Sequence, residues 1–323
     1  NNGSIEVDGA LVQGGAPEGS DAELTLTSST DILISSVDEE RRGVLFSSSG
    51  SLELNANANI INTSGRLISN SSIAVEAGGL FDNRLGSENQ SADDLLSEVE
   101  EAGRSRSSFE ISFGEAPVEG LDAVLTAQGD ISISAGQSIR NFGGELNAND
   151  GNVRLSGTDV LLQSRAFGDV SYQRSCFVFC RASGSSNVET VGGTLSASGR
   201  VVVEGTDSFL NLGGFITGLE GIDISAPDIA FQALLLPDFI TRPTGLHNFF
   251  TGSTEILLFR DVQGGVFGGD GEIVLTSATP VRLIGVTLDE SQLSAVSGLD
   301  VSQQDRTNSP IFGDNIGLFG LGF

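Results

Sequence analysis

The stretch LELNA at residues 52–56 recurs 21 residues later as IAVEA at residues 73–77, and the same spacing relates VVV at residues 201–203 to IDI at residues 222–224. Alternate positions of each stretch are apolar, which is the period of a β-strand with one buried face. Strands this short are unstable alone, but equivalent strands of successive repeats can pair and stack their apolar side chains. The repeat therefore predicts an all-β solenoid.

The position of asparagine gives the repeat an internal phase. An asparagine stands eight residues after the central apolar residue of four strands, at Asn62, Asn83, Asn141 and Asn211, and we expect these side chains to form a ladder. A β-sandwich has no fixed period and propeller blades repeat at about 40–50 residues, so both alternatives fit less well. We predict that residues 1–323 form one right-handed parallel β-helix of 21-residue coils with loop insertions.

The composition restricts the classes of partner. The chain has 323 residues, 43 of them glycine, no lysine and a formal net charge of −27. Phosphate contacts and anionic lipids require clustered basic residues, so we expect neither nucleic acid nor an acidic membrane surface as a partner. No stretch approaches 18 apolar residues, so no membrane span is expected. The chain opens without methionine or a leader and the repeat begins almost at once, so we expect an internal fragment.

Two stretches carry a resemblance to a known family. IRNFGGEL at residues 139–146 and FLNLGGFI at residues 209–216 are similar to the degenerate repeats of filamentous haemagglutinin and of the large contact-dependent growth inhibition exoproteins. The resemblance implies secretion through an outer-membrane two-partner transporter and display on a Gram-negative cell. It also implies a role as a rigid adhesin stalk that binds a receptor or glycan on a host or neighbouring cell.

Three stretches interrupt the repeat, at residues 84–118, 165–190 and 231–252. The first is acidic, and a cap sequence followed by apolar residues at helical spacing predicts a short amphipathic helix in it. The second lies between Val153 and Val201, and either one coil carries the whole insertion or two coils share it. The third is apolar and predicts a loop or a cap over the coil core.

The second insertion contains both cysteines of the chain, Cys176 and Cys180. Because a secreted protein folds in an oxidising compartment, we predict a disulfide between them, which requires the intervening residues to turn tightly. Such a hairpin would present arginine and aromatic side chains, the residue types that anchor interfaces. We predict a binding surface formed by Tyr172, Arg174, Phe177, Phe179 and Arg181. In the alternative interpretation, the phenylalanines fold back onto the coil.

Catalytic chemistry has little support in the sequence. The chain has no lysine, and its single histidine, His247, stands among phenylalanine and proline. GGDG at residues 268–271 lacks the tandem unit of a calcium turn, and two cysteines without companions do not complete a zinc site. We therefore predict no catalytic residue, no metal, no cofactor and no enzymatic activity. The alternative is a carbohydrate-active β-helix enzyme or a phage tailspike that acts on polysaccharide, which requires converging carboxylates.

Overall fold

The structure is a computed structural model that describes residues 3–15, 23–86, 91–105, 107–118, 121–176, 180–243, 254–263, 267–268, 270–286, 293–295, 298–302 and 312–316. Within these ranges the chain forms mostly β-strands, in long parallel sheets, together with one α-helix. The prediction of an all-β chain with parallel strand pairing is confirmed.

Among the described residues, the principal sheet contains 17 parallel strands, which are arranged in two ladders. The long strands β16 and β22 belong to both ladders and thereby join them. Its strands are β1 (Ile5–Asp8), β3 (Leu24–Ser28), β4 (Ile32–Ser35), β6 (Leu52–Ala56), β7 (Ile60–Thr63), β9 (Ile73–Ala77), β10 (Phe81–Arg84), β13 (Ile131–Ala135), β14 (Ser138–Phe142), β16 (Val153–Gln163), β22 (Arg200–Leu212), β24 (Gly221–Ser225), β25 (Asp228–Gln232), β29 (Ile273–Thr276), β30 (Val281–Ile284), β31 (Leu293–Ala295) and β32 (Leu299–Ser302).

A second parallel sheet, the side sheet, has eight strands. They are β2 (Leu11–Gly14), β5 (Val44–Ser47), β8 (Arg66–Ser69), β12 (Val124–Ala127), β15 (Glu145–Ala148), β21 (Thr194–Ala197), β23 (Phe215–Gly218) and β28 (Phe267–Gly268).

The remaining described elements are antiparallel strands and the helix. They are α1 (Ala92–Ser105), β11 (Phe109–Ser112), β17 (Arg165–Phe167), β18 (Asp169–Cys176), β19 (Cys180–Ser186), β20 (Glu189–Val191), β26 (Leu234–Pro243), β27 (Thr254–Gln263) and β33 (Phe312–Ile316). Strands β11, β18 and β19 form one antiparallel sheet, β26, β27 and β33 form another, and β17 pairs with β20.

Parallel pairs join equivalent positions of successive repeats. Leu52 is in register with Ile73, and Val201 is in register with Ile222, as the 21-residue spacing predicts. The inward side chains of these strands therefore stack in columns, one of which contains Leu54, Val75, Ile133, Leu155 and Val203, all at most 1% exposed. Each fully buried side chain of this kind contributes about 1.5–3 kcal/mol, so the columns provide the main stabilisation of the stack.

The insertions interrupt the chain but leave the strand ladders continuous. Ile73 pairs with Ile131 across the first insertion, and Val153 pairs with Val201 across the second. One repeat therefore carries the whole of the second insertion. The third insertion is also bridged, since Ile222 pairs directly with a strand that begins at residue 273.

The asparagines of the repeat are completely buried, and three of them form a ladder. Nδ2 of Asn62 donates to Oδ1 of Asn83, and Nδ2 of Asn83 donates to Oδ1 of Asn141, each at 2.8 Å. The inclusion of Asn211 in the ladder is wrong, because Leu162 occupies the position between it and Asn141. Asn211 instead closes its own corner, where it donates to the carbonyl oxygen of Gly214 and accepts from the Gly214 amide.

The paired glycines of the repeat stand at these corners. Gly192 has a φ of +66°, and a Cβ at this position would lie 2.0 Å from the carbonyl oxygen of Gly143 in the preceding repeat. Glycine readily adopts this left-handed backbone conformation, and because it has no Cβ it also lets two repeats approach so closely. The Gly-Gly pairs of the sequence are therefore required by the tight stacking of the corners.

Candidate binding cavity

Elements of the three insertions come together beside the principal sheet and form one accessory layer, which comprises α1 and the two three-stranded antiparallel sheets. The third insertion extends through β27, because the ladder resumes only at Ile273, and β33 joins the layer from outside the insertions. The layer has its own apolar core, which includes Leu95, Val99, Ile111, Val170, Tyr172, Leu234, Leu236 and Leu258. Residues of the third insertion thus form a strand of this layer rather than a loop. Sequence reasoning treated the insertions separately and missed their association.

Helix α1 lies within the acidic insertion, where the sequence predicts a helix. Its N-terminus is set by Ser91, whose carbonyl oxygen accepts a hydrogen bond from the Leu95 amide at 3.1 Å. Asp93 and Asp94 lie in the first turn and Arg104 in the last, which is the charge distribution that complements the helix dipole. The apolar face of the helix packs into the accessory core.

A charged pair joins the helix to the sheet of the third insertion. Nε of Arg260 on β27 donates to Oε1 of Glu100 on α1, and both side chains are largely buried. Glu100 also accepts a hydrogen bond from Arg104 at 3.2 Å. Because an unpaired buried charge is costly, this contact fixes the position of α1 on the layer.

Burial removes Tyr172 from the predicted binding surface. The residue is 0% exposed, and its ring packs against Phe109 and Phe239, with ring centroids 5.8 and 6.1 Å away. The prediction that Tyr172 flanks an exposed tip is wrong, because the hairpin of the second insertion lies against the other two insertions and this aromatic side chain faces their shared core.

The other residues of the predicted surface follow the same hairpin. Arg174 is half-buried, and its backbone amide donates to the Ser108 hydroxyl at 2.9 Å. The backbone of β18 and β19 places Cys176 opposite Cys180, and the disulfide between them stays a prediction. Phe177 and Phe179, and the side chain of Arg181, lie outside the described residues.

A buried arginine stands where the first two insertions leave the stack. Arg165 donates from Nη1 to the carbonyl oxygen of Leu85 at 2.8 Å, and only 8% of the residue is exposed. Burial lowers the pKa of the Arg165 guanidinium, because the charged form loses its hydration. This contact holds the beginning of the second insertion against the end of β10.

A cavity of about 290 Å³ lies between the outer face of the principal sheet and the N-terminus of α1. Its polar lining consists of Asp82, Arg84, Ser91, Arg140 and Gln163, and its apolar lining consists of Phe142, Leu161 and Leu212. The sheet residues come from β10, β14, β16 and β22, which are neighbouring strands of one ladder. The cavity therefore exists only because successive repeats bring these side chains together.

Among the described residues that line the cavity, the charged side chains are two arginines and one carboxylate. Asp82 is buried, with only 3% of the residue exposed, and pairs with Arg84 at 3.4 Å. Arg84 is also held by Thr63, whose hydroxyl accepts a hydrogen bond from Nε at 3.3 Å. Arg140 lies beside Asp82 in the strand register and is exposed.

The apolar side of the cavity consists of side chains that point away from the stack. Leu161 and Leu212 lie between the buried positions of β16 and β22, where a solvated strand would carry polar residues. The accessory layer covers this part of the sheet, which explains the apolar character. The leucines at outward strand positions indicate in the sequence that something covers this face of the sheet. They do not indicate which part of the chain covers it or which charged residues line the cavity.

Among the described residues, no group of three or more His, Cys, Asp or Glu side chains is arranged to hold a metal ion. Asp270 is exposed, and His247 lies outside the described ranges. Within the same part of the chain, no helix is both long and apolar enough to cross a membrane. No protein-family model, curated protein or solved structure matches this chain.

Proposed function

We propose that this chain is a right-handed parallel β-helix that serves as a rigid stalk and binding segment of a large secreted bacterial adhesin or contact-dependent inhibition exoprotein. The observation that carries the proposal is the continuous parallel pairing of the repeats across all three insertions. The repeats form the stalk, and the insertions form one lateral layer with a cavity. The layer and its cavity provide the binding part of the segment.

The stack suits the mechanical role of a stalk. Each coil contacts mainly its neighbours, and each adds about 4.8 Å to the length along the axis. Hydrogen bonds between parallel strands run along that axis and resist its extension. The net charge of −27 favours a soluble chain that does not associate with other acidic surfaces.

The proposal places the protein on the surface of a Gram-negative bacterium. A chain of this kind reaches the surface through an outer-membrane two-partner transporter and contacts a receptor or glycan on a host or neighbouring cell. The similarity of residues 139–146 and 209–216 to the repeats of filamentous haemagglutinin supports this assignment.

A direct test attaches the purified chain to fluorescent beads and measures their retention on epithelial cells and on Gram-negative bacteria. Beads that carry bovine serum albumin provide the baseline. We expect retention above that baseline on at least one cell type, with no release of reducing sugar from a panel of acidic polysaccharides. Retention at the baseline together with sugar release would overturn the proposal in favour of a carbohydrate-active enzyme.

A further inference from the structure

We infer that the outer face of the side sheet is the contact surface of a weak dimer, in which two copies of this chain pack face to face with their stacks antiparallel. The inference does not depend on the proposed adhesin role. It is carried by the composition of this face, which is apolar on four neighbouring strands and nearly free of charge on all eight.

Large apolar side chains point outward from the strands β2, β5, β8 and β12, which are neighbours in the side sheet. Leu11 on β2 is 62% exposed. The others are half-buried and lie close to one another in the strand register: Val44, Phe46, Ile68 and Val124. Contiguous apolar side chains on an open surface are typical of a site that contacts another molecule.

The same face carries almost none of the negative charge of the chain. The protein contains 43 acidic and 16 basic residues, but the eight strands of the side sheet contain only one of each, Glu145 and Arg66. Acidic side chains such as Glu53, Glu76 and Glu204 stand instead on strands of the principal sheet. Because two copies with a net charge of −27 repel each other, close approach is favoured at a face of low charge.

The order of side chains along the stack determines the orientation of the two copies. One outward row follows the register of the side sheet, and Val124 stands in it between Arg66 and Glu145. A twofold axis that passes through Val124 along the strand direction places Arg66 of each copy on Glu145 of the other. The same axis places Leu11 at one end of the row on Phe215 at the other end, three strands from Val124 in each direction. Both of these side chains are exposed, at 62% and 45%, so the antiparallel arrangement covers both.

The ionic contact contributes to orientation more than to affinity. Arg66 already pairs with Asp122 at the edge of the face, at 2.7 Å, so Glu145 of the second copy joins an existing pair. In a parallel dimer the axis would run along the stack and each row would face its neighbour, which places Arg66 on the apolar Ile68. The antiparallel arrangement avoids that contact.

The size of the face limits the strength of the dimer. Seven strands about 4.8 Å apart, each four residues long, form a face of about 30 Å by 13 Å. Two such faces bury on the order of 800 Å² in total, which is less than the roughly 1,200–2,000 Å² of stable complexes. The dimer should therefore form at high protein concentration and dissociate on dilution.

The test is sedimentation equilibrium of the purified chain from about 10 µM to about 1 mM. We expect the average mass to rise with concentration from 33.4 kDa toward twice that value. Association should be stronger in 1 M salt, because screening removes the long-range repulsion between two acidic chains.

Two variants of the middle strand β12 test the contact surface. Val124→Glu and Thr126→Glu each bring two glutamates face to face across the twofold axis, and each should weaken association at least tenfold. Val202→Glu is the matched control, because it adds the same charge at a half-buried outward valine of the principal sheet, and it should leave association unchanged. All three variants should melt like the unaltered chain, since none of these side chains belongs to the core of the stack.

The orientation is measured by electron paramagnetic resonance with one spin label per chain, at Gln13→Cys on β2, after Cys176 and Cys180 are changed to serine. In the antiparallel dimer the two labels are separated by about six strand spacings, or at least about 30 Å, whereas a parallel dimer brings them within about 20 Å. The shorter distance would overturn the inferred orientation. A monomer at every concentration, unchanged association in Val124→Glu and Thr126→Glu, or equal loss in Val202→Glu would overturn the inferred dimer surface.

Discussion

Nδ2 of Asn83 donates a hydrogen bond of 2.8 Å to Oδ1 of Asn141, although 58 residues separate the two in the sequence. The first insertion, including α1, lies between them in the chain, yet the buried column of the stack passes without a gap from one repeat to the next. The described residues of α1 therefore pack into a core that is separate from the core of the stack.

The buried amide of Asn83 should contribute strongly to stability. Asn83→Leu removes the acceptor used by Asn62 and the donor used by Asn141 and by the carbonyl oxygen of Ala123. Since each orphaned buried polar group costs about 1–3 kcal/mol, we expect the free energy of unfolding to fall by about 2–4 kcal/mol in urea titrations. Leu162 occupies the same column, so the leucine side chain itself is tolerated by the coil.

Asn55→Leu provides the matched control, because this asparagine faces outward on β6 and is only half-buried. It should change the free energy of unfolding by less than about 0.5 kcal/mol. If Asn83→Leu and Asn55→Leu had equal effects, the ladder would have no role in stability.

Because side chains of β22 alternate between the core and the outer face, substitutions of two adjacent valines should have very different effects on the free energy of unfolding. Val203 is 0% exposed and lies in a column with Leu155 and Ile224, whereas Val202 points outward. Val203→Asp places an unpaired charge in an apolar column and should reduce the free energy of unfolding by at least about 4 kcal/mol. Val202→Asp should cost under about 1 kcal/mol. Thermal melts of similar midpoint for the two variants would contradict the assigned phase.

The sequence predicted the stack because the stack is repetitive. Alternation of apolar residues determines which side chains face inward, and the 21-residue spacing determines which strands pair, as for Leu52 and Ile73. The Gly-Gly pairs mark the corners because adjacent repeats approach closely there, as Gly192 approaches Gly143 of the preceding repeat. Each of these features follows from local spacing alone.

The accessory layer could not be predicted in the same way. Phe109, Tyr172 and Phe239 belong to three different insertions and stack on one another without any shared period. Their contact depends on how far each insertion extends from the stack, which spacing does not encode. The cavity has the same origin, since Asp82 and Arg140 become neighbours only when the first insertion is looped out.

The two apolar cores should unfold separately. Tyr172 is the only tyrosine and the chain has no tryptophan, so tyrosine fluorescence reports on the accessory layer alone. Leu258→Ala removes a fully buried side chain from that layer and should destabilise it by about 2–5 kcal/mol. We expect the fluorescence transition in urea to move to lower concentration, while the far-ultraviolet circular dichroism transition of the strands moves little.

Leu155→Ala is the reciprocal variant, since Leu155 is equally buried but belongs to the core of the stack. Leu155→Ala should move the circular dichroism transition to lower urea concentration, by a free energy comparable to that lost by the accessory layer in Leu258→Ala. Coincident transitions in both variants would show instead that the layer and the stack unfold as one unit.

Three glutamates that lie near one another on the outer face of the stack, Glu23, Glu53 and Glu76, predict a pH-dependent variant. The pKa of Glu53 is raised, first by a hydrogen bond shared with Glu23, then by desolvation and by the charges of Glu23 and Glu76. The folded chain therefore holds this proton more tightly than the unfolded chain, so the stabilisation is present at low pH and is lost as the pH rises through the raised pKa. At neutral pH the carboxylates repel one another.

Glu53→Gln should accordingly raise the free energy of unfolding at pH 7 by about half a kcal/mol at low salt. The gain should diminish as the pH falls through the raised pKa of Glu53, because the carboxylate of the unaltered chain then loses its charge, and it should also decrease in 1 M salt. Glu204→Gln is the control, because Glu204 is an exposed glutamate of the same sheet that lies in register between two serines, Ser156 and Ser225. A pH-independent gain in Glu53→Gln would contradict the electrostatic cause.

The cysteines of the second insertion should be joined by a disulfide in protein that folds in an oxidising compartment. Cys176 and Cys180 occupy directly opposed positions of β18 and β19. Opposed residues of an antiparallel pair lie about 4.5–5.5 Å apart between Cα atoms, which falls within the span of a disulfide. Titration with a thiol reagent under denaturing, non-reducing conditions should therefore find no free thiol.

Reduction should destabilise the accessory layer more than the stack. The bond closes a loop of only a few residues, so its removal should cost the layer about 2 kcal/mol through the entropy of the unfolded chain. We expect the Tyr172 fluorescence transition to move to lower urea on reduction, and Cys176→Ser with Cys180→Ser to reproduce that shift without reductant. Two free thiols in protein secreted natively, or a double variant with an unchanged transition, would mean that the hairpin is held by strand pairing and by the aromatic contacts of Tyr172 alone.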